Sequence, residues 1–264
     1  MTRARGPRSP RAVVAIGGFD PSCGAGVVAD ARSIEAMGAI PLAVVTAITV
    51  QAGRGVRSYR ALAPKVVLEQ LDELLRELPV AAVKIGQVPG AALALALAKR
   101  LAPTGIPVVL DPVLVASGGG ELASRAAIAA IASSLVPLST LVTVNLAEAS
   151  AFTGRRVIDG GGMRRAAEVL AARGARAVLV KGGHLRGDPV DLLRVGGAET
   201  RLRASRIPRA MHGTGCALAS AAAARLACGD DVATAVRRAR DHVRRLLSGA
   251  VKAGRSSLRA PASY

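Results

Sequence analysis

The chain has 264 residues and a hydrophobic content of 51%, ample for the core of one large α/β domain, which excludes disorder as the default state. Trp is absent and aromatics make up only 2%, so the interior has to be built from Ala, Val, Leu and Ile, and stacking of bases or sugars on aromatic platforms is disfavoured. The net charge of +18 invites a nucleic-acid partner, but the Arg residues are scattered, apart from clusters at 201–209 and 237–245; a solvated Arg-rich surface that attracts nucleotides and phosphates, with no specific nucleic-acid site, is the preferred reading.

Met1 to Arg11 carry four Arg and two Pro without an apolar segment, and read as a disordered basic lead rather than a secretory signal. From there extended apolar runs alternate with helical periodicity. Val13–Gly17, Pro41–Val50, Ala81–Ile85, Pro107–Leu110, Leu141–Val144 and Ala177–Val180 are predicted strands. Residues 26–38, 64–77, 90–101, 121–132, 146–152 and 162–173 are predicted helices. This alternation predicts an α/β fold, a mostly parallel central sheet covered by helices on both faces. Residues 189–205, with Gly196-Gly197 in the middle, predict an antiparallel hairpin, and helices over about 215–227 and 230–247 close the domain. A single domain over 12–248 is expected, followed by a flexible tail at 249–264. Cys23, Cys216 and Cys228 suggest neither a disulfide framework nor a zinc site, and no apolar run reaches the ~18 residues of a membrane span. A cytoplasmic setting is expected.

In such sheets ligands bind beyond the carboxyl ends of the strands, and the residues there are polar. Gly17, Gly18 and Asp20 follow the first strand, with Asp30 a turn after Gly26; Gln51 follows the second. Asp111 follows the fourth, Asn145 and Glu148 the fifth, and Lys181-Gly182-Gly183-His184 the sixth. The most telling segment is His212-Gly213-Thr214-Gly215-Cys216, which runs directly into an Ala-rich helix. Its glycines let successive N–H groups converge on one anion at the positive end of a helix dipole, and a thiol in that first turn has its pKa lowered. A kinase-like site is the first hypothesis; a plain glycine loop with Cys216 as a small buried apolar residue is the alternative.

Seven ordered blocks carry a resemblance: GGFDPSCGAGVVAD from Gly17, TAITVQ ending at Gln51, VKIG at 83–86, VLDPV at 109–113, NLAE at 145–148, KGGH at 181–184 and HGTGC at 212–216. Together they resemble the hydroxymethylpyrimidine and phosphomethylpyrimidine kinases of thiamine biosynthesis, within the ribokinase-like superfamily, from about residue 12 to about 248. The resemblance implies a three-layer sandwich and transfer of the ATP γ-phosphoryl to 4-amino-5-hydroxymethyl-2-methylpyrimidine, then to its monophosphate. It places Gly213, Thr214, Gly215 and Cys216 at the transfer point, Cys216 standing where sugar kinases have an Asp base. Gln51 would read the aminopyrimidine edge, with Asp30, Gly18 and Asp20 on the substrate side; Gln51 as a strand cap and Asp30 as a solvated residue are the alternatives. Lys181 and Asn145 would serve ATP, and Asp111 and Glu148 would hold Mg²⁺, against helix capping and surface pairing. His212 and His184 are expected to shape loops. A homodimer is common in the superfamily.

Departures from the family pattern are Gln87 in place of a Met after Gly86, the 116–120 loop, Cys23 and Ala52. They leave open a pyridoxal-type kinase on the same scaffold; the +18 surface separately leaves a non-catalytic regulatory module that holds nucleic acid as a reading of another class.

Overall fold

Strand β1 (Ala12–Phe19) is apolar on both faces, Val14 and Ile16 packing into one core and Val13 and Ala15 into another, so it lies inside a sheet covered on both sides. The computed structural model describes residues 11–52, 55–115, 122–252, 259–261 and 263–264. The other strands of this sheet are β2 (Ile40–Ala52), β3 (Gly55–Ala61), β4 (Val80–Ile85), β5 (Val108–Leu110), β6 (Leu141–Asn145), β7 (Ala177–Lys181), β8 (Val190–Val195) and β9 (Ala198–Arg203), ordered β3-β2-β1-β4-β5-β6-β7-β8-β9. The six from β2 to β7 in that order are parallel; β3, β8 and β9 pair antiparallel at the edges.

The helices are α1 (Gly26–Ala36), α2 (Pro64–Glu77), α3 (Ala91–Leu101), α4 (Arg125–Ala130), α5 (Leu146–Thr153), α6 (Gly160–Ala172), α7 (Thr214–Ala227) and α8 (Val232–Ser248). Helices α2 to α6 cover one face, while α1, α7 and α8 cover the other. Helix α7 buries six alanines between 217 and 224 against the sheet. Side chains that small let the helix lie close, which fixes its N-terminus over the carboxyl edge of the central strands.

The alternation of the sequence is reproduced in this mostly parallel, two-faced sheet. Three local expectations change. Strand β3 was not foreseen, because Arg57, Ser58 and Arg60 interrupt it, as charge does on an edge strand, and leave no apolar run. The helix expected over 121–132 begins at Arg125, where the Ser124 side chain accepts from Ala127 N at 3.1 Å, and it continues as a π-helical turn over Ile131–Leu135; residue 121 lies outside the described residues. In the stretch from 249, expected to be a flexible tail, β10 (Ala250–Lys252) pairs with β11 (Arg259–Pro261), and the Tyr264 ring lies under the Arg32 guanidinium. The lead at 1–10 and the 116–120 loop lie outside the described residues.

Candidate active site

The carboxyl edge of the sheet opens on a cavity of about 520 Å³ lined by every block that the sequence singled out. At its floor, Gly213 caps α7 with φ +80°, and the first bonded amide of the helix is Ala217 N, to Gly213 O at 2.9 Å. The N–H groups of Thr214, Gly215 and Cys216 therefore point past the helix start, with the positive end of the dipole behind them. A Cβ on Gly213 would stand 2.0 Å from Gly24 O. Only glycine fits there, and its fit brings the cradle against the loop that follows β1.

That contact is reinforced by a latch. Asp20 accepts from Ser22 N, Ser22 Oγ and Ala25 N at 2.7–2.9 Å, and His212 Nε2 lies 3.2 Å from its second oxygen. Asp20 is buried and does not line the cavity, so its expected contact with substrate is corrected to a clasp between the two glycine loops, with His212 on the far side of the clasp. Burial works to raise the Asp20 carboxyl, but the bonds from His212, Ser22 and Ala25 outweigh it and hold the carboxyl below its ordinary value. A lowered carboxylate stabilises the fold above its unfolded pKa and loses that effect as pH falls through the folded value. Asp20→Asn is expected to cost about 1–3 kcal/mol at pH 7, a difference that shrinks in denaturant titrations as pH falls through and below the ordinary carboxylate range.

Asp30 is fully buried, with Oδ2 2.7 Å from Lys84 Nζ and Oδ1 accepting from Ser220 Oγ at 2.7 Å. Both oxygens are engaged, so Asp30 lies at the cavity wall as the partner of Lys84 and is not solvated on the helix. Burial raises its carboxyl against Lys84 and Ser220, while Asp30 keeps the Lys84 ammonium firmly protonated. Lys84 is the residue sequence reasoning missed. Its signal was available: a lone Lys in the strand VAAVKI, covered on both faces, has to be paired.

Cys216 sits beside this pair, and the expectation of a lowered thiol is overturned. Burial pushes its pKa up to about 12; the Lys84 charge and the Gly26 N–H pull the other way, and Asp30 and Asp111 add to the rise. Desolvation of a thiolate outweighs the Lys84 charge and the Gly26 N–H here. Cys216 is a neutral thiol at neutral pH.

On the opposite side, Lys181 Nζ donates to Asp111 Oδ1 at 2.8 Å, and Thr143 Oγ1 donates to the same oxygen at 2.8 Å. Burial opposes ionisation of Asp111, yet Lys181 and Lys84 hold its pKa low. A Cβ on Gly215 would lie 3.3 Å from Lys181 Nζ and 3.8 Å from Asp111 Oδ2, which places cation, carboxylate and cradle at one point. Asn145 and Glu148 form a reciprocal capping box at the start of α5: Glu148 N donates to Asn145 Oδ1 at 2.9 Å and Asn145 N to Glu148 Oε2 at 2.8 Å. The capping alternative holds, and both side chains still line the cavity. Burial lifts the Glu148 carboxyl to about 7, Lys181 opposing and Asp111 adding.

Gln51 reaches the cavity from the end of β2, and no described residue hydrogen-bonds its carboxamide; Gly18 lines the cavity beside it. The far end of the cavity is bounded by arginines. Arg206 donates to the carbonyls of Gly183, Leu185 and Gly187, Arg240 binds Asp191 Oδ2 and Leu202 O, and Arg244 donates to Ser205 O. Much of the 201–209 and 237–245 charge therefore staples loops. No helix among the described residues is long and apolar enough to cross a membrane.

A nine-stranded α/β sandwich with an amide cradle at its carboxyl edge is the architecture of ribokinase-like small-molecule kinases. An ADP complex of Bacillus subtilis pyridoxal kinase superposes with a TM-score of 0.88 at 26% identity, over 96% of this chain and 97% of that one. A phosphomethylpyrimidine kinase from Clostridium difficile gives 0.78 at 31% identity, over 89% and 98%. A family model described as phosphomethylpyrimidine kinase matches residues 20–260. A hydroxymethylpyrimidine/phosphomethylpyrimidine kinase of Streptomyces coelicolor is 42% identical over 96% of this chain and 93% of its own length. The chain belongs to the phosphomethylpyrimidine kinase family.

Proposed function

We propose that the chain is a hydroxymethylpyrimidine/phosphomethylpyrimidine kinase that transfers the γ-phosphoryl of ATP to an aminopyrimidine alcohol at the start of α7. The observation that carries this reading is the meeting, at Gly215, of the cradle with Lys181 and Asp111. The full-length 42% identity to the Streptomyces coelicolor kinase supports the pyrimidine over the pyridoxal ring. The nucleotide would lie toward the arginine-stapled loops at 183–187 and 205–211, with Lys181 against its phosphates.

In this reading the hydroxymethyl oxygen attacks the γ-phosphorus, its bond to the bridging oxygen breaks, and ADP leaves. The amides of residues 214–216 take the negative charge that spreads over the equatorial oxygens. Gln51 pairs its amide with the ring nitrogen and amino group on one edge of the heterocycle. The small fraction of Cys216 present as thiolate, which Lys84 and the Gly26 N–H favour, takes the alcohol proton late.

The carboxylates fit Mg²⁺ in the way that phosphate-bound Mg²⁺ is held. Asp111 Oδ2 and the second Glu148 oxygen accept no hydrogen bond from described residues, and one or two carboxylates plus phosphates and water complete such a site. Bound there by Asp111 and Glu148, Mg²⁺ would neutralise negative charge on the nucleotide phosphates.

The test is ADP release with 4-amino-5-hydroxymethyl-2-methylpyrimidine and with pyridoxal at equal concentration. The reading requires faster turnover of the pyrimidine; preference for pyridoxal would overturn it. Gln51→Ala is expected to raise KM for the pyrimidine about 10-fold or more, with a smaller change in kcat, since it removes an interaction made in ground and transition states alike.

A further inference from the structure

Gln87 follows β4 and Gly86, and 6% of it is exposed. Its backbone is pinned on both sides: Gly86 N donates to Ile16 O at 2.7 Å, and Thr46 Oγ1 donates to Gln87 O at 2.8 Å. Its side chain lines the same cavity as Gln51. Among the described residues, Nε2 is buried with no hydrogen-bond partner, and Oε1 accepts from none. A buried amide left in that condition costs about 1–3 kcal/mol, a cost that a ligand group can relieve.

The site is also shaped around this side chain. A Cβ on Gly18 would stand 2.1 Å from Gln87 Oε1, so a glycine at 18 is what lets the carboxamide lie across the mouth of β1. Half a turn about χ3 exchanges Oε1 and Nε2, and no bond to a described residue resists it.

We propose that Gln87 is a specificity-determining residue whose carboxamide donates to the ring nitrogen that Gln51 leaves free. This rests on the reading above, in which Gln51 takes the amino group and the adjacent nitrogen of an aminopyrimidine. The remaining nitrogen is an acceptor only, and Gln87 carries the buried donor without a partner. Two carboxamides then read two edges of one ring. A ring with C–H at that position leaves the donor unpaired, and a site built to hydrogen-bond its substrate rejects such an analogue.

The experiment measures kcat and KM for the pyrimidine alcohol and for its 1-deaza analogue, in which C–H replaces the ring nitrogen remote from the amino group. Both are run on the unsubstituted chain and on Gln87→Met, which keeps length and bulk. The unsubstituted chain is expected to favour the pyrimidine by about 10-fold in kcat/KM, chiefly through KM, and Gln87→Met to erase that preference by losing on the pyrimidine alone. Equal handling of both rings by the unsubstituted chain, which needs no variant to fold, would overturn the proposal. An equal loss on both rings in Gln87→Met would do the same. Absence of turnover of the pyrimidine by the unsubstituted chain would instead remove the kinase reading, and this inference with it.

Discussion

Cys216→Ala is expected to lower kcat by about 10²- to 10⁴-fold, the range for loss of a positioned proton acceptor, while KM for ATP changes little. The buried thiol makes the prediction sharper. Only the thiolate accepts a proton, and with the pKa raised to about 12 its fraction at neutral pH is small and grows tenfold per pH unit. For the unsubstituted chain, log kcat should therefore climb with a slope approaching one between about pH 6 and 9, and Cys216→Ala should abolish the slope. A pH–rate profile of both proteins decides the matter: a flat profile before substitution, or an unchanged one after it, would assign the proton to another acceptor.

The second large effect is on stability. Lys84→Met is expected to cost about 3–5 kcal/mol of unfolding free energy, because it leaves the fully buried Asp30 carboxylate without its cation. Adding Asp30→Asn should recover a large part of that loss, since a neutral amide can still meet Ser220. Denaturant titration of the three variants gives the coupling directly. Additive losses would show that the pair is not a unit. The same pair ties α1 to β4 and reaches α7 through Ser220, so it also sets where the cradle stands relative to the sheet.

The fold was legible because its signals were repeated. Doubly covered strands such as β1 and β6 are continuous apolar runs, and their neighbours have helical periodicity, so α2 was placed at both ends and α7 within a residue. Strand β3 was not legible, since an edge strand exposes charge on purpose and reads as a loop. At the site, residue types located the chemistry, and the glycine turn announced the cradle. What sequence could not give was the partner of each side chain. Asp20 and Asp30 were both expected to face substrate, yet each spends its oxygens on the protein, one on His212 and a loop, the other on Lys84 and Ser220. Cys216 shows the same limit from the electrostatic side: position in a first helical turn was visible, while burial, which decides its pKa, was not.

The central claim is that the first amides of α7 hold the phosphoryl group in flight between ATP and a ring held by Gln51. A crystal structure with ADP, Mg²⁺, aluminium fluoride and the pyrimidine alcohol tests it most directly. The account predicts the fluoride group within hydrogen-bond distance of the N–H groups of residues 214–216, with the alcohol carbon beside Cys216 and the ring against Gln51. Fluoride held elsewhere, with those amides facing water, would contradict it.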